Sequence, residues 1–264
     1  MISRVTATTF LDELVADGRY TFSTNDAVAA LGLSPIAARA ALRRLTAKGR
    51  IVQPFRGFHV IVPPEYRRLG SLPPEQFIPQ LMDRLHEKYY VALLSAAQYH
   101  GAAHQRPQRF QVAVAKNRSA IICGAVQVEF VARKEIARVP PVSFNTPRGP
   151  IRVASVEATA LDLVGYPRHV GGLDNAATVL AELGEKIDSK LLAKVAKTAP
   201  VSWSQRLGHV LDLVGHEDKT DALAAFVQKN AGDVISLVPS ESAQHASRSS
   251  KWKLEVNADI EVDT

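Results

Sequence analysis

Apolar residues recur at helical spacing through residues 2–17, where Val5, Phe10, Leu11, Leu14 and Val15 share one side and Gly18 closes the segment. Ser23, followed three residues later by Asp26, has the form of a capping box. Ala27, Val28 and Leu31 make the apolar side of the helix it opens, and Gly32 stops it. Ser34 caps a second helix with Pro35 at its first position, where the missing N–H leaves nothing unsatisfied. Ala38, Ala41, Leu42 and Leu45 form the buried stripe of that helix, and Gly49 ends it. Ile51-Val52 and residues 58–62 flank Arg56-Gly57 as two strands around a turn. Helix, glycine-containing turn, helix and hairpin predict a winged helix-turn-helix over residues 1–68, supported by the helix at 2–17.

The pattern breaks after the wing. Pro63-Pro64 and the Gly-Ser-Leu-Pro-Pro run at 70–74 continue neither helix nor sheet, so the domain boundary is placed between 68 and 69. Helical spacing returns over 75–90 (Phe77, Ile78, Leu81, Met82, Leu85) and over 91–99, ending near Gly101. Strands are expected at 110–115, once or twice within 120–131, and as a hairpin over 142–153 with Pro147-Arg148-Gly149-Pro150 at its turn. Further helices are expected at 156–164, 175–183, 189–197, 202–214 and 220–229. A Ser-rich stretch at 239–250 is expected to be mobile, with a terminal strand at 252–256. Residues 69–264 therefore predict an α+β domain, a small sheet flanked by helices, without internal repeats.

Composition narrows the picture. At 264 residues, 46% hydrophobic and 22% charged, the chain has the material for two ordinary globular cores. It has no apolar run near the ~20 residues that span a bilayer. Its first residues lack the apolar core of a signal peptide, and Cys123, the single cysteine, excludes an internal disulfide and a cysteine metal cluster. The expected location is cytoplasmic. Charge is uneven: residues 1–68 hold ten Lys and Arg against five Asp and Glu, so they carry +5 of the net +6. A basic module joined to a near-neutral one points to phosphate as the first module's partner.

The predicted second helix has the chemistry for that partner. Its buried stripe leaves Arg39 and Arg43 facing out, four apart, with Arg44 and Lys48 on an adjacent face and Arg56 at the hairpin tip. Its leading end, Ser34, Pro35, Ile36, Ala37 and Ala40, is mostly apolar, which suits contact with thymine methyl groups. These positions are the candidate DNA-binding residues: Ser34, Pro35, Ala37, Arg39, Arg43, Arg44, Lys48 and Arg56. Elsewhere the chemistry is thin, and no metal, cofactor or catalytic residue is expected. His100 and His104 have ligand spacing but no completing acid or cysteine, and His209 and His216 flank a helix end. Glu129 with Lys134 beside Arg133 lacks the second acid of a nuclease site, and Gly171-Gly172 lacks the Lys-Ser/Thr of a phosphate loop. Ser155 caps a core helix in which Glu157 and Asp162, five apart, share no face.

The wing sequence Arg56-Gly57-Phe58, the connector, the strand-rich middle and the segment Ser155 to Leu163 before several helices together resemble the AbiEi family. These are antitoxins and transcriptional repressors of type IV toxin–antitoxin systems linked to abortive phage infection. Members often carry an arginine and a wing tyrosine where this chain has Ala158 and Phe58. The resemblance implies a first domain that binds inverted operator repeats in double-stranded DNA and represses its own operon. It implies a second domain that counters a nucleotidyltransferase-like toxin without a stable complex. It implies a non-enzymatic protein, a monomer or weak homodimer. An effector-responsive winged-helix regulator unrelated to any toxin is the alternative, and a DNA-guided nuclease is a third, disfavoured by the missing acids.

Overall fold

The computed structural model describes residues 6–102, 107–244 and 246–262. The chain opens with α1 (Ala7–Ala16), whose first turn is capped by Thr6: its Oγ1 accepts from the Thr9 N–H at 3.1 Å. Then come β1 (Thr21–Ser23), α2 (Thr24–Leu31), α3 (Pro35–Ala47), β2 (Ile51–Phe55) and β3 (Phe58–Ile61). The three strands form an antiparallel sheet in the order β1-β3-β2. This is the winged helix-turn-helix that the pattern predicts. Val5 lies outside the described residues, whereas Phe10, Leu11 and Leu14 pack with Phe22, Leu31 and Leu45 in a core of their own. Strand β1 was not expected. Three residues carry no usable alternation, and Ser23 serves both as its last residue and as the N-cap of α2. Pro54, which has no N–H for a ladder, sits where β2 slips register against β3 on the sheet edge.

The connector makes two short 3-10 turns, Pro64–Tyr66 and Pro74–Gln76, and leads into α4 (Ile78–Arg84). It continues through β4 (Tyr89–Val91), α5 (Leu93–Tyr99), β5 (Phe110–Val114), β6 (Ile121–Cys123), β7 (Val126–Ala132), β8 (Pro141–Thr146) and β9 (Gly149–Ala154). These strands form one mixed sheet in the order β6-β7-β5-β4-β9-β8. A helical layer follows: α6 (Val156–Gly165), α7 (Leu173–Leu183), α8 (Ser189–Ala196), α9 (Val201–Leu213) and α10 (Asp221–Asn230). The chain ends in a small sheet of β10 (Ile235–Ser236), β11 (Ser247–Ser249) and β12 (Leu254–Val256).

One expectation needs correction. The helix expected over 75–90 stops at Arg84, and residues 89–91 are a strand near the middle of the sheet rather than the start of a helix. Tyr89, Tyr90 and Val91 are all buried, so the segment has no polar face whose period separates strand from helix. Within the Ser-rich stretch at 239–250, residues Ser247–Ser249 form β11, which pairs antiparallel with β12.

The second domain is pinned by charge turned inward. Arg133 and Asp162 are 2% and 1% exposed, and Arg133 Nε donates to Asp162 Oδ1 at 2.9 Å. Tyr90 Oη donates to the other carboxylate oxygen at 2.7 Å, and the remaining guanidinium N–H groups reach Lys134 O, Thr198 O and Thr198 Oγ1. The guanidinium also lies 4.8 Å from the Trp203 ring centre. One buried cation thus ties the end of β7 to β4, α6, Thr198 and α9. Burial pushes the Asp162 carboxyl up, and the Arg133 charge and the two hydrogen bonds oppose it.

The two domains meet at the wing. Phe58 and Val60 of β3 belong to the large core of the second domain, with Tyr20 and Val52 packed against it. The Arg148 guanidinium, from the β8–β9 turn, lies over the Tyr20 ring, and Arg118 lies 5.7 Å from the Phe55 ring centre.

Candidate nucleic-acid interface

Helix α3 owes its position to its ends. Ser34 Oγ accepts from the Ala37 N–H at 3.3 Å, Pro35 fills the first turn, and Ala38, Ala41, Leu42 and Leu45 face the core. Before it, the Ser23–Asp26 capping box is closed in both directions, at 3.0 and 2.7 Å, and Gly32 adopts φ 58°. A left-handed residue here turns the chain sharply between α2 and α3, which a side chain would resist.

The outer face of α3 is the candidate surface. Ile36 is 78% exposed, an unusual position for a large apolar side chain, and Arg39, Arg43, Arg44 and Lys48 are all exposed. Among the described residues, none of these four cations has a carboxylate partner. Arg56 is exposed at the wing turn, where Gly57 takes φ 71°. Between α3, the first turn of α2 and the wing lies a concavity of about 660 Å³. It brings together Ile36, Arg39, Arg43 and Arg56 with Thr24, Asn25, Gln53 and His59. Of the predicted residues, Ser34 and Pro35 are exposed at the leading end, Ala37 is half-buried, and Arg44 and Lys48 lie outside this concavity. Thr24 and Asn25 escaped sequence reading because polar residues at a helix start look like capping alone, and Gln53 because it lies within strand β2, ahead of the turn.

His59 forms the floor. It is 4% exposed, stacks on Phe22 with ring centres 5.1 Å apart, and shares a 3.0 Å hydrogen bond between Nε2 and Thr24 Oγ1. Its Nδ1 has no partner among the described residues. Burial, and then the nearby Arg84 charge, lower its pKa to about 4, so the ring is neutral at physiological pH.

This geometry and the matching family models agree. The model described as transcriptional regulator, AbiEi antitoxin, matches residues 10–62, and that of the AbiEi antitoxin C-terminal domain matches residues 90–213. The chain belongs to the AbiEi antitoxin family. Its fold is similar to the crystal structure of the RV2827C protein from Mycobacterium tuberculosis, at 19% identity and a TM-score of 0.70, covering 94% of this chain and 90% of that one. The solution structure of the antibiotic-resistance factor ANT(2'')-Ia matches at 14% identity over 58% of this chain and 89% of that one, but its TM-score of 0.30 is too low to relate the folds. No functionally curated protein matches the chain.

The other sequence candidates in this AbiEi chain are accounted for locally. His100 Nε2 sits 2.7 Å from Ala154 O, and His104 lies outside the described residues. His216 Nε2 sits 2.7 Å from Ala181 O, and burial lowers the pKa of His209. Glu129 is held by His169 Nδ1 at 3.0 Å and by the Gln111 amide at 3.3 Å. Cys123 is buried, and burial pushes its thiol up, as for a small core residue. Ser155 caps α6 through the Ala158 N–H at 3.2 Å, while Glu157 accepts from the Asp188 N–H at 3.2 Å. Among the described residues no cluster of His, Cys, Asp and Glu could hold a metal, and no helix is long and apolar enough to cross a membrane.

Proposed function

We propose that this AbiEi chain is a type IV antitoxin that binds operator DNA through α3 and the wing, represses its own operon, and counters a nucleotidyltransferase-like toxin. The observation that carries the DNA reading is the concavity where Ile36, Arg39, Arg43 and Arg56 converge, the three arginines having no carboxylate partner among the described residues. Ile36 is presented to thymine methyl groups, Arg39 to a base edge and Arg43 to phosphate. Arg44 and Lys48, on the adjacent face, meet the backbone beside the groove. One winged domain covers few base pairs, so two copies on inverted half-sites fit the reading. The toxin-countering role rests on the family alone and belongs to the second domain. The protein acts without catalysis, by binding.

The test has two arms. In the first, the full chain is titrated with duplex DNA from upstream of its own reading frame. Arg43→Ala with Arg44→Ala is expected to weaken binding to all sequences and to flatten the salt dependence by roughly one unit of slope per lost contact. Arg39→Ala is expected to cost about 1–3 kcal/mol on the operator and less on random duplex. Unchanged affinity in both would remove α3 from the interface. In the second arm, the neighbouring reading frame is induced alone, with the full chain, and with its Arg43→Ala/Arg44→Ala variant. Rescue by both proteins separates antitoxicity from DNA binding. A toxic neighbour that neither rescues would refute the antitoxin role.

A further inference from the structure

A second concavity, of about 660 Å³, shares no lining residue with the α3 surface. It opens where the end of α6, the turn at 167–172, the start of α7, and α9 meet the segments that follow β10 and β12. Its volume falls within the roughly 300–1,000 Å³ of small-molecule sites. The wall is ordered by one side chain. Asn257 Oδ1 accepts the Val238 N–H at 3.0 Å, and its amide donates to Val238 O at 2.8 Å and Glu241 O at 3.0 Å. Much of the lining is apolar: Val164 and Leu237 are buried, Leu173 and Ile260 half-buried.

Into this apolar wall the chain sets a cation without an anion. Arg206 is half-buried on α9; its Nε donates to Leu237 O at 2.9 Å and its Nη2 to Ser236 O at 3.2 Å. Among the described residues its other three N–H groups have no acceptor, and no carboxylate pairs with it. Burial pulls its pKa down, the mark of a guanidinium that has lost water without gaining a counter-charge. Arg133 shows the opposite arrangement, a buried guanidinium closed by Asp162. At the rim Arg168 is exposed and also lacks a carboxylate among the described residues. Helix α7 starts on the same wall behind Gly172, which brings no side-chain oxygen to its first N–H groups.

We propose that this cavity binds a small amphipathic anion, an apolar chain or ring bearing one carboxylate or phosphate group. The anionic group meets Arg206 and Arg168, and the apolar body lies against Leu173, Leu237 and Ile260. The rim carboxylates limit the charge of the ligand. Asp174, Glu241 and Asp259 are exposed at the cavity, and Asp174 Oδ1 already accepts the Glu261 N–H at 3.2 Å. Nucleic acid or a nucleoside triphosphate would bring several negative groups against these acids, whereas a single group reaches the arginines. The inference does not rest on the DNA-binding reading.

The test is calorimetric titration of the full chain with octanoate, octyl phosphate, neutral 1-octanol and inorganic phosphate. Octanoate and octyl phosphate are expected to bind saturably, one per chain and in competition, while octanol and inorganic phosphate bind at least about tenfold more weakly. Whichever of the two anions is preferred, the site stands, and the preference names its anionic group. Arg206→Gln is expected to weaken both anions by about tenfold or more and to leave octanol unchanged. Because Arg206 also holds two carbonyls, Arg168→Gln on the exposed rim is the second variant, with a several-fold loss of anion affinity and an unaltered melting temperature. The proposal falls if neither anion binds saturably, if octanol binds as tightly as octanoate, or if neither arginine variant changes the anions' affinity. In that last case Arg206 serves only to tie α9 to the terminal sheet.

Discussion

Arg39, Arg43 and Arg44 stand on the outside of α3 with no carboxylate beside them among the described residues, whereas Arg133 in the second domain is 2% exposed and bonded to Asp162, Lys134 and Thr198. Both are arginines in ordered structure, and they do opposite things. An unpaired surface guanidinium keeps its field for a partner that arrives later, and its removal changes affinity far more than stability. A buried one has already been desolvated, and its field is used up holding strands and helices in register. The contrast extends to whole domains. Arg118 with Glu87 and Lys251 with Asp212 are paired in the second domain, and His169 is hydrogen-bonded to Glu129, so these charges are spent on internal bonds.

The sharpest way to break this contrast is at Asp162. Asp162→Ala would leave the Arg133 guanidinium buried and Tyr90 without its acceptor, and the expected loss is about 3–5 kcal/mol of unfolding free energy. Urea denaturation of the full chain should show it as an early transition. Asp162→Leu combined with Arg133→Met should recover much of the loss, because the uncompensated charge goes with its partner. An undisturbed transition in Asp162→Ala would mean that the network is ornamental. The Arg43→Ala/Arg44→Ala variant, by contrast, should unfold like the parent while binding DNA poorly.

His59 tests the border between the two regimes. It is a first-domain residue refused its charge by burial and by a cation of the second domain. Its folded pKa, about 4, lies below the ~6.5 of an unfolded chain, so the native state binds fewer protons between those values. Stability is therefore fully present above pH ~6.5 and is lost as pH falls toward 4, by up to about 3 kcal/mol from this group. Comparing the pH dependence of unfolding for the parent and His59→Gln isolates the contribution. A parent curve that parallels the variant's over that range would show that the ring is not held neutral.

How much of this was legible in the sequence follows the same division. The first domain announces itself through local signals: Ser23 with Asp26, Gly32, Ser34 with Pro35, and Gly57 each act within a few residues of where they stand. The exposed face of α3 follows from its apolar stripe by subtraction. The second domain depends on contacts far apart in sequence. Nothing near Arg133 marks it as the partner of a carboxylate on α6, and Asp162, within a helix buried along most of its length, reads as one more polar position. Tyr89, Tyr90 and Val91 continue a helical spacing and become a strand only because β5 and β9 lie on either side. The meeting of Arg84 with the wing turn joins residues with no sequence relation at all.

The smallest expected effect addresses why local signals in the first domain can be trusted. Ser34→Ala removes the acceptor for the Ala37 N–H, and capping losses of this kind amount to about 1 kcal/mol. The leading turn of α3 carries Ile36 and precedes Arg39, so fraying there costs ordering at the moment of binding as well as stability. Ser34→Asp should restore the cap yet place a negative charge at the end of α3 that is proposed to face DNA, separating the two consequences. If the cap matters only for folding, Ser34→Asp recovers the melting temperature and DNA affinity together. If the surface is a phosphate-facing one, melting recovers while affinity falls below that of Ser34→Ala. The second outcome is expected, because Ser34 is exposed and sits at the same end of α3 as Ile36.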